Sequence, residues 1–117
     1  MITVYGLKNC DTCRKARKWL TEQGLAHQFH DVRSDGLDTT TVNTWAATLG
    51  WEKLLNRRGT TWRGLNEADK QDLDQVKAVA LMTAHPALIK RPVFDINATY
   101  ALGFDEPARI LLNGESP

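Results

Sequence analysis

Two sulfur side chains lie near the start of the chain, in Lys8-Asn9-Cys10-Asp11-Thr12-Cys13-Arg14-Lys15. A disulfide closing so short a loop would constrain almost nothing, so the spacing suits redox chemistry or metal binding better than stapling. The segment lies between a short β-branched and aromatic run, Ile2-Thr3-Val4-Tyr5, and a stretch with helical periodicity. Cys10 therefore falls in the loop at a helix N-terminus, with Cys13 in the first turn. Unpaired backbone N–H groups and the positive end of the helix dipole favour a thiolate there. Lys8, Arg14, Lys15, Arg17 and Lys18 add positive charge nearby. Thiolate content sets cysteine reactivity, so Cys10 is the candidate nucleophile. The same helix end suits an oxyanion or the carboxylate of a thiol substrate. Zinc needs more ligands than one cysteine pair, and His27, His30 and His85 match no finger spacing, so no metal site is expected. The competing reading is a pair of inert buried thiols.

A second candidate segment is Leu88-Ile89-Lys90-Arg91-Pro92-Val93. A proline opening a strand is trans by default. Arg91 has a planar fork suited to an oxyanion or a carboxylate, although most arginines are solvated surface residues.

The elements that must position these residues follow from periodicity. Residues 2–5 read as a buried strand, residues 7–11 as a loop, and a helix runs from Asp11 or Thr12 to about Gln23. Ala16, Trp19 and Leu20 form its apolar stripe, and Gly24 stops it. A second strand at residues 27–32 completes a βαβ unit with parallel strands. Asp38 caps a helix with Val42, Trp45, Ala46 and Leu49 on one face and Gly50 as its stop. Residues 51–56 read as a helical turn and residues 57–64 as a polar loop. Asn66 is expected to cap a long helix to about Ala84, with Leu73, Val76, Ala80 and Thr83 inward, broken by His85-Pro86. Strands at residues 93–96 and 99–102 flank an Asn97-Ala98 hairpin turn. Asp105 caps a last helix through Leu112, and residues 113–117 are a frayed tail. The sum is an α/β fold: a mixed sheet of about four strands, ordered βαβ then ββα, with helices between the halves.

The chain has 117 residues, about 42% of them hydrophobic, which suits one domain over residues 1–117 with its own core. Its formal net charge of +1 argues against a dedicated nucleic-acid binder. No apolar run approaches the ~18 residues of a membrane span. The N-terminus lacks a signal-peptide layout, so a cytoplasmic location is expected.

A Cys-X-X-Cys pair after the first strand of a βαβ pattern is a thioredoxin-like signal. The chain resembles the glutaredoxin-dependent arsenate reductase (ArsC) family along nearly its whole length, and within it the YffB-type branch of glutathione-dependent thiol reductases. The resemblance is carried by Tyr5-Gly6-Leu7-Lys8-Asn9-Cys10-Asp11-Thr12, Arg14-Lys15-Ala16-Arg17, Asp35-Gly36-Leu37 and Leu55-Asn56-Arg57-Arg58-Gly59-Thr60-Thr61-Trp62-Arg63. Leu81-Met82-Thr83, Ile89-Lys90-Arg91-Pro92 and Leu102-Gly103-Phe104 complete it.

The resemblance implies a thioredoxin-like sheet with an inserted helical region. It also implies Cys10 as nucleophile, a cis Pro92 beside the cysteine loop, and Arg91 aimed at the anion. Glutathione would be the co-substrate, glutaredoxin a candidate partner, and no cofactor would be tightly bound. Lys8, Asn9, Thr12, Arg14, Arg91 and Pro92 are the expected contacts of the thiol ligand. Cys13 is a candidate resolving thiol.

Two arginines of the arsenate reductases are replaced here, by Asn56 and Phe104. Arg57 or Arg58 is a candidate substitute for the first. Cys13 departs from the YffB-type pattern and resembles the Spx regulators of the same family. These use a Cys-X-X-Cys switch and bind RNA polymerase, which supplies the alternative function.

Overall fold

The computed structural model describes residues 1–114. Seven α-helices and four strands follow in chain order among the described residues. Two compact units compose the chain. One is Met1–Asp35 together with residues 91–114; the other is Gly36–Lys90, the expected helical insertion.

The first unit is built on the βαβ unit read from the sequence: β1 (Ile2–Gly6), α1 (Asp11–Glu22) and β2 (His27–Asp31). β3 (Val93–Ile96), β4 (Thr99–Leu102) and α7 (Glu106–Asn113) follow the insertion. The sheet order is β2-β1-β3-β4. β1 runs parallel to β2, pairing Ile2 with His27 and Gly6 with Asp31, and antiparallel to β3, pairing Ile2 with Ile96. This mixed four-stranded sheet is thioredoxin-like. The β3–β4 hairpin turns through Asn97 (φ 52°) and Ala98 (φ 69°), and Asp95 Oδ1 accepts from Ala98 N at 2.9 Å. Ile2, Val4, Leu20, Phe94, Ile96 and Leu112 fill the core, bringing the buried faces of sheet, α1 and α7 together. Asp105 caps α7, its side chain accepting from Ala108 N. The expected tail begins within α7 and its C-cap, since Asn113 is helical; its residues 115–117 lie outside the described residues.

The second unit is helical. α2 (Thr39–Trp45) starts at Asp38, whose side chain accepts from Thr41 N. It runs into a π-helical turn, Ala46–Gly50, and then α3 (Trp51–Leu54). The polar stretch read as a loop over residues 57–64 contains a short helix, α4 (Thr60–Arg63).

The long helix expected from Asn66 is broken in two. α5 (Glu67–Lys70) ends at an extended Gln71, Asp72 takes φ 52°, and α6 (Gln75–Ala84) restarts at Asp74, which accepts from Lys77 N. The new cap resets the inward face. Ala78, Val79 and Met82 are buried, whereas Val76 is 80% exposed and Ala80 lies outward. A 3₁₀ turn at Pro86–Leu88 follows the break at His85. Leu55 and Ile89 form an antiparallel bridge, flanked by Asn56 N donating to Leu88 O at 2.7 Å and Lys90 N to Leu54 O at 2.9 Å. No helix among the described residues is long and apolar enough to cross a membrane.

Candidate active site

Gly6 ends β1, and the chain then turns sharply before α1. Cys10 N donates to Leu7 O at 3.2 Å, closing a four-residue turn with Lys8 and Asn9 at its corners. Both peptide sides of Lys8 are held. Its N–H donates to Asp31 Oδ2 at 3.0 Å, and its carbonyl accepts from Arg14 Nε at 3.2 Å.

Cys10 is the N-cap residue of α1, with extended backbone (φ −101°, ψ 121°), and its thiol is partly exposed. Cys13 stands at N3, the position whose N–H faces the N-cap side chain. Cys10 Sγ completes no full cap hydrogen bond. Burial pushes its pKa up, but the Cys13 amide, the Cys13 thiol and the Arg91 guanidinium outweigh this, leaving Cys10 below the ordinary thiol value. The amide contribution is therefore read as a dipole aimed at the sulfur rather than as a formed bond.

Cys13 behaves oppositely. It is 0% exposed and packed against Gly6. Burial pushes its thiol up to about 11, with the neighbouring Cys10 adding to the rise against the Leu7 backbone contact and Arg91. The two sulfurs titrate as a pair, and the outer one ionises first.

Arg91 enters from the start of β3. The Arg91–Pro92 peptide is cis, Pro92 is buried, and Pro92 O accepts from Gly103 N at 2.8 Å. Gly103 takes φ +81°, which an L side chain rarely adopts. The cysteine turn and the residue before the cis proline thus bring Cys10, Cys13 and Arg91 together.

The remaining expected site residues flank Cys10 in its turn and at the start of α1. Lys8, Asn9, Thr12 and Arg14 are exposed, and Arg14 Nη1 is bound to Asp11 Oδ1 at 2.9 Å. Arg17 lies over the Phe29 ring at 4.2 Å. The α1 cations are exposed, and Arg91, remote in sequence, favours the Cys10 thiolate. Among the described residues no three His, Cys, Asp or Glu side chains gather where they could hold a metal.

Asn56 and Phe104 have local roles of their own. Asn56 Oδ1 accepts from Arg58 N at 3.0 Å. Phe104 packs edge-on to Trp19 at 5.7 Å and near Phe94 at 6.3 Å, under Arg109. Arg57 sits near the rings of Trp51 and Trp62 and, with Arg58, Lys90, Glu52 and Leu55, lines a cleft of about 390 Å³ in the helical unit.

Sequence reasoning missed Asp31. It is 5% exposed and accepts from Lys8 N, Arg33 N and Ser34 N. The Ser34 amide leads the effects that, against burial, bring its carboxyl down to about 2. The available signal was an aspartate closing a strand directly before a polar turn.

Comparison with known proteins bears on this geometry. A profile of the ArsC family matches residues 5–109. An uncharacterized protein of Haemophilus influenzae is 45% identical over 106 residues, 91% of this chain and 93% of that protein. The global transcriptional regulator Spx of Streptococcus mutans is 26% identical over 108 residues, 91% of this chain and 78% of that one. Among solved structures, a protein named YffB is 45% identical with a TM-score of 0.91, covering 96% of this chain and 98% of that one. An arsenate reductase (ArsC) related protein of Brucella melitensis is 42% identical with a TM-score of 0.75, covering 94% and 92%. The fold is that of arsenate reductase-like thiol oxidoreductases, and the chain belongs to the ArsC family.

Proposed function

We propose that the protein is a glutathione-dependent thiol–disulfide oxidoreductase with Cys10 as its nucleophile. The observation that carries this reading is the placement of Cys10 at the N-cap of α1 with the Arg91 guanidinium acting on its sulfur. The Cys10 thiolate attacks one sulfur of a mixed disulfide between substrate and glutathione. A bond forms between Cys10 and the glutathione sulfur, the old S–S bond breaks, and the substrate thiolate leaves and takes a proton. A second glutathione thiolate then attacks the adduct, releasing oxidised glutathione and restoring Cys10.

Arg91 holds a carboxylate of glutathione, with Lys8, Asn9, Thr12, Arg14 and Pro92 as its further contacts. Glutaredoxin is a candidate reducing partner, no cofactor is tightly bound, and a reducing cytoplasmic setting matches the chemistry. The buried, protonated Cys13 is a poor attacking group at neutral pH, which favours glutathione over Cys13 as the resolving thiol.

The test is mass spectrometry of the protein after exposure to oxidised glutathione. Wild type acquires one adduct on Cys10, Cys10→Ser acquires none, and Arg91→Ala loses about 2–3 kcal/mol of glutathione binding with its fold intact by circular dichroism. Absence of an adduct on Cys10 in wild type removes the reading.

A second reading is favoured by the Cys-X-X-Cys pair and the similarity to Spx: a redox-regulated protein that docks on RNA polymerase through a Cys10 to Cys13 disulfide switch. It requires RNA polymerase binding that changes between the dithiol and disulfide forms.

A further inference from the structure

The turn that presents Cys10 is short, exposed at Lys8 and Asn9, and closed by one backbone bond from Cys10 N to Leu7 O. Such a turn is held only as firmly as its corners. β1 and β2 pair as far as Gly6 and Asp31, with Val32 N donating to Gly6 O at 2.9 Å. Beyond that point the ladder ends, and a side chain continues it: Asp31 Oδ2 takes the Lys8 N–H.

The other oxygen is committed to the turn after β2, with Arg33 N and Ser34 N each 2.9 Å from Oδ1. Asp35 braces the same turn, its Oδ2 accepting from Asp31 N at 3.0 Å and its N donating to Asp31 O at 2.9 Å. A carboxylate this buried costs desolvation energy that these amides offset. The Asp31 carboxylate reaches the cysteine turn through the Lys8 N–H, so its link to the chemistry runs through the Lys8 peptide.

We infer that Asp31 is a positioning residue for the reactive thiol: its buried carboxylate holds the Lys8 amide and so fixes the turn that sets Cys10 Sγ against the Cys13 amide and Arg91. The role rests on the reading of Cys10 as the nucleophile. A looser turn averages the sulfur over positions farther from the amide and the guanidinium, and its thiolate fraction falls.

Asparagine separates this role from general support of the turn. An amide keeps one acceptor oxygen and turns the other into a donor. Two donors share Oδ1 and one uses Oδ2. The carboxamide in Asp31→Asn therefore keeps its oxygen toward Arg33 and Ser34 and presents N–H₂ to the Lys8 N–H. The substitution breaks the link to the cysteine turn selectively. Asp35→Ala removes the acceptor of the Asp31 N–H, which weakens the β2 turn without touching Lys8, and is the control.

The experiment is the rate of Cys10 alkylation by iodoacetamide at neutral pH, followed by mass spectrometry, in the full chain and both variants with folding checked by circular dichroism. The expected result is a fast wild type, an Asp31→Asn rate lower by about threefold or more, and an Asp35→Ala rate within about twofold of wild type. A wild type no faster than an ordinary thiol overturns the nucleophile reading and this role with it. A fast wild type matched by Asp31→Asn overturns the role of Asp31 alone, as does an equal loss in both variants.

Should Asp31→Asn not fold, amide hydrogen exchange on the wild type decides. Lys8 N–H exchanging at least about tenfold slower than Asn9 N–H supports the anchor, and equal rates overturn it.

Discussion

Gly6 and Cys13 are in van der Waals contact across the β1–α1 turn: a β-carbon at position 6 would strike Cys13 Sγ and lie 3.3 Å from its Cβ. The absence of a side chain at the end of β1 is what admits a sulfur at N3 of α1. Gly6→Ala should destabilise the fold by about 1–3 kcal/mol through overpacking. Adding Cys13→Ala should recover part of that loss, because the two sites share one contact. Denaturant unfolding of the two single variants and the double variant measures the coupling; strictly additive costs would show that the contact is not the cause.

The same buried sulfur makes two Cys13 substitutions informative. Serine keeps a donor beside Cys10, so Cys13→Ser should leave glutathione-dependent turnover nearly intact. Alanine keeps the backbone amide but removes the side-chain donor, so Cys13→Ala should raise the pH at which Cys10 ionises. Steady-state turnover on a glutathione mixed disulfide checks the first expectation. Accumulation of a trapped Cys10 adduct in Cys13→Ser would instead identify Cys13 as the resolving thiol.

The cysteine turn, α1 and the four strands were legible because each carries a local signal: a β-branched and aromatic run, a glycine stop, or Asn97-Ala98 between two strands. The helical insertion was legible in outline only. Nothing between Asn66 and Ala84 is a glycine or a proline, so a single helix was expected. The break comes instead from Asp72 in a left-handed conformation and from Asp74 capping a new start, which turns Val76 outward and Met82 inward. At the site, the cysteine pair was visible from spacing. The Arg91 partnership with Cys10 needed the family resemblance, since proximity across the sheet leaves no local trace. Asp31 escaped because an aspartate after a strand looks like any turn residue until its partners are known. The cations on and beside α1 are exposed, with Arg14 bonded to Asp11 and to the Lys8 carbonyl and Arg17 over the Phe29 ring, contacts that sequence spacing alone does not show.

Arsenate should be a poor substrate. The family resemblance implies arginines at the positions of Asn56 and Phe104; here Asn56 bonds the local backbone and Phe104, partly buried, packs against the core. A hydrogen bond to a charged group contributes about 1.5–3 kcal/mol, so two missing donors should lower productive arsenate binding by about a hundredfold or more. An assay coupled to glutathione and glutaredoxin measures this. Robust arsenate-dependent turnover would mean that other cations, with Arg57 and Arg58 the first to test, fill the role.

Acid stability should report on Asp31. Its folded carboxyl titrates at about 2, below the ordinary value of 3.8, because the Ser34, Lys8 and Arg33 amides favour the charged form against burial. A depressed carboxylate stabilises the fold fully above its ordinary pKa, and that contribution is lost as pH falls toward the folded value. The urea midpoint should therefore drop between about pH 4 and pH 2, and Asp31→Asn should flatten the drop. An unchanged slope in the variant would assign the acid sensitivity to other carboxylates.

The central claim, that the fold makes Cys10 an acidic nucleophile beside Arg91, is tested most directly by the pH profile of Cys10 alkylation in wild type and Arg91→Ala, read residue by residue with mass spectrometry. The account predicts that Cys10 reacts at lower pH than an ordinary thiol while Cys13 stays unmodified, and that Arg91→Ala moves the Cys10 profile to higher pH. A Cys10 profile at or above the ordinary thiol range in wild type, or one that Arg91→Ala leaves in place, would contradict it.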